Sequence, residues 1–430
     1  RKRSCGLAVL IASQEFAMLS PYRVLDLTNE RGLLCGQILG DLGADVIKVE
    51  PPGGSSARKI GPFFQDQPDP NRSLYWWSYN RNKRSITLDL EHREGREILE
   101  RLVKDAHFLI ESDNPGKLAS IGLGYKGLAA INPALIEISI TPFGQDGPKA
   151  AYADSDLVIL AAGGPLVVTG DDDRPPVRVS VPQGYLHASA DAAVAALAAH
   201  HERCFSGLGQ HVDVSAQQSL AIATQSGILA APLNADEYRR AAGGVKSGNL
   251  NVQLLFPAKD GWISCTFLFG SALGVFTTKL MRYLCEHGWC DEATRDKDWI
   301  GFGLALASGA EPISEYDRAR GILSSFTASH TKAELLRLAI EKGFLFAPVS
   351  TIEDVVESQQ LRARDYFQDV EHPELGRSMR YPGPFVKFSE SPIRYRRRPP
   401  LVGEHNNEIY RDELGISESE LSGLRDRGII

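Results

Sequence analysis

The chain has 430 residues, 43% hydrophobic and 23% charged, the balance of a globular protein long enough for two domains and a large buried core. Its 47 basic and 54 acidic residues leave a net charge of -7, which argues against nucleic acid as a partner. No apolar run approaches the length of a membrane span, so no membrane partner is expected. The six cysteines are irregularly spaced with no C-x-x-C pair, as in a reduced, cytoplasmic protein. Cys285, His287 and Cys290 lie close together but without a fourth ligand, and no metal is expected.

Arg1-Lys2-Arg3 and the apolar stretch after Cys5 imitate a short signal peptide. Gln14 and Glu15 interrupt it, so residues 1–17 read as upstream or processing sequence. Val24–Leu27 predicts a buried strand, with Thr28 and Asn29 supplying capping oxygens to a helix. That helix carries Leu33, Leu34, Ile38, Leu39 and Leu42 and stops at Gly43; Val46–Val49 is the next strand. Strand, helix, strand in so short a span implies a right-handed parallel crossover. The rhythm repeats through a helix with Ile98, Leu99, Leu102 and Val103, then strands at Phe108–Ile110 and Leu135–Ile140. Such alternation predicts a doubly wound, Rossmann-like α/β sheet.

An Ala-rich helix is expected from about Tyr185 to His201, followed by the turn Gly207-Leu208-Gly209-Gln210 and the strand His211–Val214. A further helix is expected from Ser215 to about Leu229. Beyond it the texture changes: Ala241–Gly244 is a break, and Lys259–Trp262 reads as a hairpin turn. Thr331–Glu334 reads as a capping box before a helix carrying Leu335, Leu336, Leu338 and Ile340. A smaller α+β domain is expected from about residue 226 to 325, ahead of this last helix.

Two opening motifs, Leu42–Gly54 and Asn82–Leu90, resemble the entry signature of the family III CoA-transferases, the CaiB/BaiF family. Phe143–Pro148, Gly209–Val214, Asp260–Ile263 and Pro400–His405 follow in the family's order, and the likeness runs from Tyr22 to Ile430. The resemblance implies an N-terminal extension at 1–20, a large CoA-binding α/β domain at 21–225 and a small domain at 226–325. Residues 326–430 would be a linker and a C-terminal return to the large domain. It also implies two chains interlocked as a dimer, either a homodimer or a heteromer with a related Asp-bearing chain. No cofactor would be permanently bound; coenzyme A and acyl-CoA would be substrates, exchanged with a carboxylic acid.

In enzymes of this kind an aspartate attacks the acyl-CoA thioester to give a mixed anhydride, and CoA thiolate then forms an aspartyl-CoA thioester. The family aspartate precedes the Ala-rich helix, where this chain has Val181-Pro182-Gln183-Gly184-Tyr185. No acid is present, and Gln183, the nearest isostere, is a poor nucleophile. Asp191 is eight residues further on, about 12 Å along a helix, and Asp171–Asp173 read as a solvated turn. Ser112-Asp113-Asn114-Pro115-Gly116 occupies the place of the family's Asn-Phe-x-Pro-Gly, with Ser120 where an Arg would follow. Arg58, Lys83, Arg84 and Asn114 are the candidate CoA contacts; surface charge is the alternative reading for Lys83 and Arg84.

Three functions remain in view. The chain is a CoA-transferase, or a non-catalytic subunit supporting an Asp-bearing partner, or an acyl-CoA isomerase of the α-methylacyl-CoA racemase type. The last needs a His and Asp pair for proton exchange and an acid at the same vacant position. Phe63-Phe64 and Tyr75-Trp76-Trp77 would line an aryl-acid pocket or pack in the core.

Overall fold

The computed structural model describes residues 18–233, 240–247 and 250–430, so residues 1–17 of the expected extension lie outside the described residues. Two compact units form. One holds the described residues up to Gly164 together with Val179–Gln225 and Arg362–Ile430; the other holds Pro165–Arg178 and the described residues of Ser226–Leu361.

The first unit is built on six parallel strands: β1 (Arg23–Asp26), β2 (Asp45–Glu50), β3 (Lys83–Thr87), β4 (Phe108–Glu111), β5 (Ile136–Thr141) and β6 (His211–Ser215). Their spatial order is β3-β2-β1-β4-β5-β6, so the direction of winding reverses between β1 and β4. Val24 pairs with Val46 on one side and Phe108 on the other, which centres β1 in the sheet. Helix α1 (Leu33–Asp41) ends where Gly43, at φ 111°, turns the chain into β2. Helix α2 (Leu74–Tyr79) starts on a Ser73 cap, and α3 (Arg93–Val103) buries Ile98, Leu99, Leu102 and Val103. Two short helices, α4 (Lys117–Ser120) and α5 (Tyr125–Ile131), follow β4.

Helix α6 (Asp156–Gly163) precedes the long α7 (Gly184–Ser206). Ala188, Ala192, Ala193, Ala196 and Ala199 are the buried face of α7, and their small side chains let it lie close against α1 and strands β5 and β6. The helix expected over Ser215–Leu229 is broken into Ala216–Ala221, a 3₁₀ turn at Ile222–Thr224, and Gln225–Ala230.

The C-terminal return covers the exposed edge of β3. The backbone N–H groups of Asn82, Ser85 and Thr87 donate to Arg397 O, His405 Nδ1 and Asn406 Oδ1 at 3.0, 3.1 and 2.9 Å. An unpaired edge strand is thereby satisfied by a loop rather than a seventh strand. His405 is accordingly structural.

The second unit carries a three-stranded antiparallel sheet of Leu255–Ala258, Gly261–Cys265 and Phe346–Pro348. Lys259-Asp260 is the hairpin turn. Helices Gly270–Glu286, Ile313–Ala328 and Lys332–Lys342 pack around Phe256, Phe267, Trp299 and Phe326, and the Thr331/Glu334 capping box is formed. Among the described residues no helix is long and apolar enough to cross a membrane.

Candidate active site

In open parallel α/β sheets, ligands bind outside the carboxyl ends of the strands at the point where strand order reverses. Here that crevice lies beyond β1 and β4, and the loops leaving both strands fill it with polar groups. Asn29 N donates to Ser112 Oγ at 2.9 Å, and Ser112 Oγ returns a bond to Asn29 Oδ1 at 3.0 Å. Arg31, two residues on, sends Nη1 to Ser112 O at 3.3 Å and to Asn114 Oδ1 at 3.1 Å. Its Nη2 lies 2.6 Å from Asp154 Oδ1, and the second Asp154 oxygen accepts the Tyr185 hydroxyl. Burial, and then that bond to Asp154, raises the Tyr185 phenol above its usual range, so it stays a proton donor.

Of the five residues Val181–Tyr185, Tyr185 sends its side chain to these groups. Gln183 does not: its Nε2 turns back to the carbonyls of Val181 and Pro182 at 3.2 and 3.3 Å. The Gln183 and Gly184 backbone N–H groups donate to Asp156 Oδ1 at 2.7 and 2.8 Å, which anchors the start of α7. A Cβ at position 184 would sit 2.2 Å from Ile159 Cδ1, so a larger residue there would make the Ile159 side chain move. Asp154 and Asp156 escape a sequence reading because they lie well before the Val181–Tyr185 turn.

A second polar layer lies on one face of β4, β5 and β6. Glu111 Oε2 accepts Asp113 N at 2.7 Å, and Asp213 Oδ2 accepts Gln145 N at 2.9 Å. The loops Ser112–Gly116 and Phe143–Pro148 are therefore tied to carboxylates at the strand ends. Burial pushes Glu111 up to about 7; burial together with Glu111 pushes Glu137 up to about 8. Glu137 Oε2 is buried with no hydrogen-bond partner among the described residues. Ser139 Oγ and His211 Nε2 are 2.9 Å apart, and the His211 ring stacks on Tyr125.

The remaining predicted contacts lie on the β2–β3 side. Lys83 is fully buried, with Nζ bonded to Asp26 Oδ2 and Leu33 O at 2.8 Å and Asn80 Oδ1 at 3.0 Å. Lys48 binds the other Asp26 oxygen. Burial alone would raise the Asp26 carboxyl, but the two ammonium groups outweigh it and hold it at about 2. Arg58 forms a fork with Glu50 at 2.6 and 2.8 Å and lies over the Trp76 ring. Arg84 pairs with Asp45, Glu408 and Glu413. It also lines a cavity of about 370 Å³ with Arg396 and Arg397, at the amino-terminal edge of the strands. Surface charge does not describe Lys83 or Arg84: both are buried, Lys83 against Asp26 and Arg84 against Asp45 and the C-terminal Glu408 and Glu413. The structure joins Asn114 to Tyr185 through Arg31 and Asp154, and places Arg58, Lys83 and Arg84 away from that group. Trp76 and Trp77 pack in a core cluster with Leu33, Ala57 and Tyr381.

Among the described residues no group of three His, Cys, Asp or Glu side chains is placed to hold a metal ion. The 3-2-1-4-5-6 sheet, with polar groups gathered at its switch point, defines a doubly wound α/β protein. Residues 19–406 match CoA-transferase family III, and the chain belongs to that family. It is 34% identical to the succinyl-CoA:(R)-benzylsuccinate CoA-transferase subunit BbsE of Thauera aromatica, over 96% of this chain and 98% of that protein. It is 32% identical to the succinyl-CoA–D-citramalate CoA-transferase of Chloroflexus aurantiacus, with the same coverage of both chains. A crystal structure of a CaiB/BaiF family protein from Brucella suis superposes with a TM-score of 0.77 at 27% identity, covering 92% of this chain and 98% of that one.

Proposed function

We propose that this chain is a cytoplasmic subunit of a CoA-transferase that moves CoA between an acyl-CoA and a carboxylic acid, and that it supports the reaction without supplying the nucleophile. One observation carries this reading. The turn at the crevice, Val181–Tyr185, presents a phenol rather than a carboxylate, and that phenol is already engaged by Asp154. A phenol with a raised pKa does not attack a thioester at neutral pH, and a carboxamide cannot form the anhydride. The name of the Thauera relative, a subunit of a succinyl-CoA-using transferase, favours assembly with an unlike chain.

The partner would be a related chain with an aspartate at the turn. Val194, Phe205, Leu208 and Ile222 are apolar and more than half exposed, and burying them in an assembly would remove this apolar surface from water. Asn114 is assigned a CoA contact, and Arg84, with Arg396 and Arg397, a place for an anionic group. Arg58 and Lys83, committed to buried carboxylates, act by holding β2 and β3 in position. The test is CoA exchange from succinyl-CoA to a carboxylic acid, assayed with the purified chain alone and after mixing with an Asp-bearing family member. Exchange only in the mixture supports the reading; full exchange by the chain alone refutes it.

A further inference from the structure

We propose that Arg31 and Tyr185 form a carboxylate receptor whose resident occupant is Asp154, and that the carboxylate of an organic acid takes the place of Asp154. The two donors grip the two oxygens of one carboxylate. Arg31 Nη2 reaches Oδ1 at 2.6 Å, and the Tyr185 hydroxyl reaches Oδ2. Such two-point recognition is the usual way a guanidinium selects a planar anion.

The receptor is held in place without help from its occupant. Arg31 N donates to Asn29 Oδ1 at 3.1 Å, Arg31 O accepts Ser189 Oγ at 3.3 Å, and Nη1 is fixed by Ser112 O and Asn114 Oδ1. Tyr185 stands in the first turn of the 23-residue α7, its ring 5.9 Å from the guanidinium carbon. Asp154 stands on irregular backbone, and its neighbours Ala151, Tyr152, Ala153 and Ser155 are exposed. Tyr185 therefore stands on a helix and Arg31 in a turn braced by Asn29 and Ser189, while Asp154 stands on irregular backbone just ahead of α6. Exchanging one carboxylate for another conserves the charge of the site, so no ion is left buried and unpaired. Naming an organic acid as the ligand rests on the CoA-transferase reading; the geometry itself specifies a carboxylate.

Titration calorimetry of the full chain with succinate as the probe tests the proposal. Removing the internal competitor with Asp154→Ala is expected to tighten succinate binding about ten-fold or more. Adding Arg31→Gln to that variant should abolish the gain, and Tyr185→Phe should reduce it several-fold. Asp154→Asn, which keeps the side chain's size, should reproduce the gain if the alanine variant does not fold. A folded Asp154 variant that binds succinate no more tightly than the unmodified chain overturns the proposal, as does a gain that survives Arg31→Gln. Transfer activity does not enter this readout, so an inactive assembly and a failed receptor give different results.

Discussion

Arg31 and Asp154, 123 residues apart in sequence, meet at 2.6 Å, and Tyr185 closes the group from the start of α7. This contact makes Tyr185, not Gln183, the side chain facing the crevice. Tyr185→Asp combined with Asp154→Asn, which avoids two adjacent carboxylates, is expected to give measurable CoA exchange in the chain alone. Gln183→Asp should give much less, because position 183 faces the carbonyls of Val181 and Pro182. Equal activity in the two variants would show that the crevice does not select position 185.

Arg58 and Glu50 form a fully buried fork, capped by Trp76 and by Pro400 O. Arg58→Ala strands the Glu50 charge among buried groups and is expected to cost about 3–5 kcal/mol. Urea denaturation followed by circular dichroism reads this directly. A loss below about 1 kcal/mol, the range of exposed pairs, would contradict the buried geometry.

Gly209 belongs to a turn whose role is closeness to a neighbouring strand, not unusual φ. A Cβ there would lie 1.8 Å from Leu135 O, a backbone atom that cannot step aside. Gly209→Ala should therefore cost about 3 kcal/mol or more. Gly321, inside the helix Ile313–Ala328 with nothing within 4 Å of its Cβ position, is the control. Gly321→Ala should stabilise by about 0.5–1 kcal/mol. The two melting curves should move in opposite directions.

Glu137 is held at about 8 in the folded chain against an ordinary value of 4.5. Its folded pKa is raised, so between these values the folded state binds more protons than the unfolded one, and stability falls as pH rises. The effect is absent below pH 4.5 and complete above about 8. Glu137→Gln removes the titration and should raise stability at pH 8–9 by a few kcal/mol, on the order set by such a shift. At pH 4.5 the variant and the parent should be close. A stability difference independent of pH would contradict a protonated Glu137.

The β1-α1-β2 entry was legible because Leu25, Ile47 and Val49 form an apolar core and Gly43 marks the turn. Strand β3 was visible as a motif and not as a strand, because Lys83-Arg84-Ser85-Ile86-Thr87 shows no apolar alternation. All five residues are nonetheless buried, since Asp26, Asp45 and Glu50 neutralise or bond their polar groups from neighbouring strands. Those partners are set by sheet order, which local spacing does not encode. The same holds for the crevice: that Val181–Tyr185 carries no acid was readable in the sequence, while the partnership of Arg31 and Asp154 depends on tertiary placement. The helix after Ser215 breaks at Ile222–Thr224, where the apolar pattern continues but the hydrogen bonding tightens to 3₁₀.

The central claim, that this chain supports CoA transfer without carrying the acyl group, is tested most directly by trapping. The assembly with its Asp-bearing partner would be turned over with succinyl-CoA, quenched with hydroxylamine, and both chains mapped by peptide mass spectrometry. A hydroxamate is expected on the partner's aspartate and none on this chain, including Asp154, Asp156 and Asp191. A stoichiometric hydroxamate on any carboxylate of this chain would contradict it.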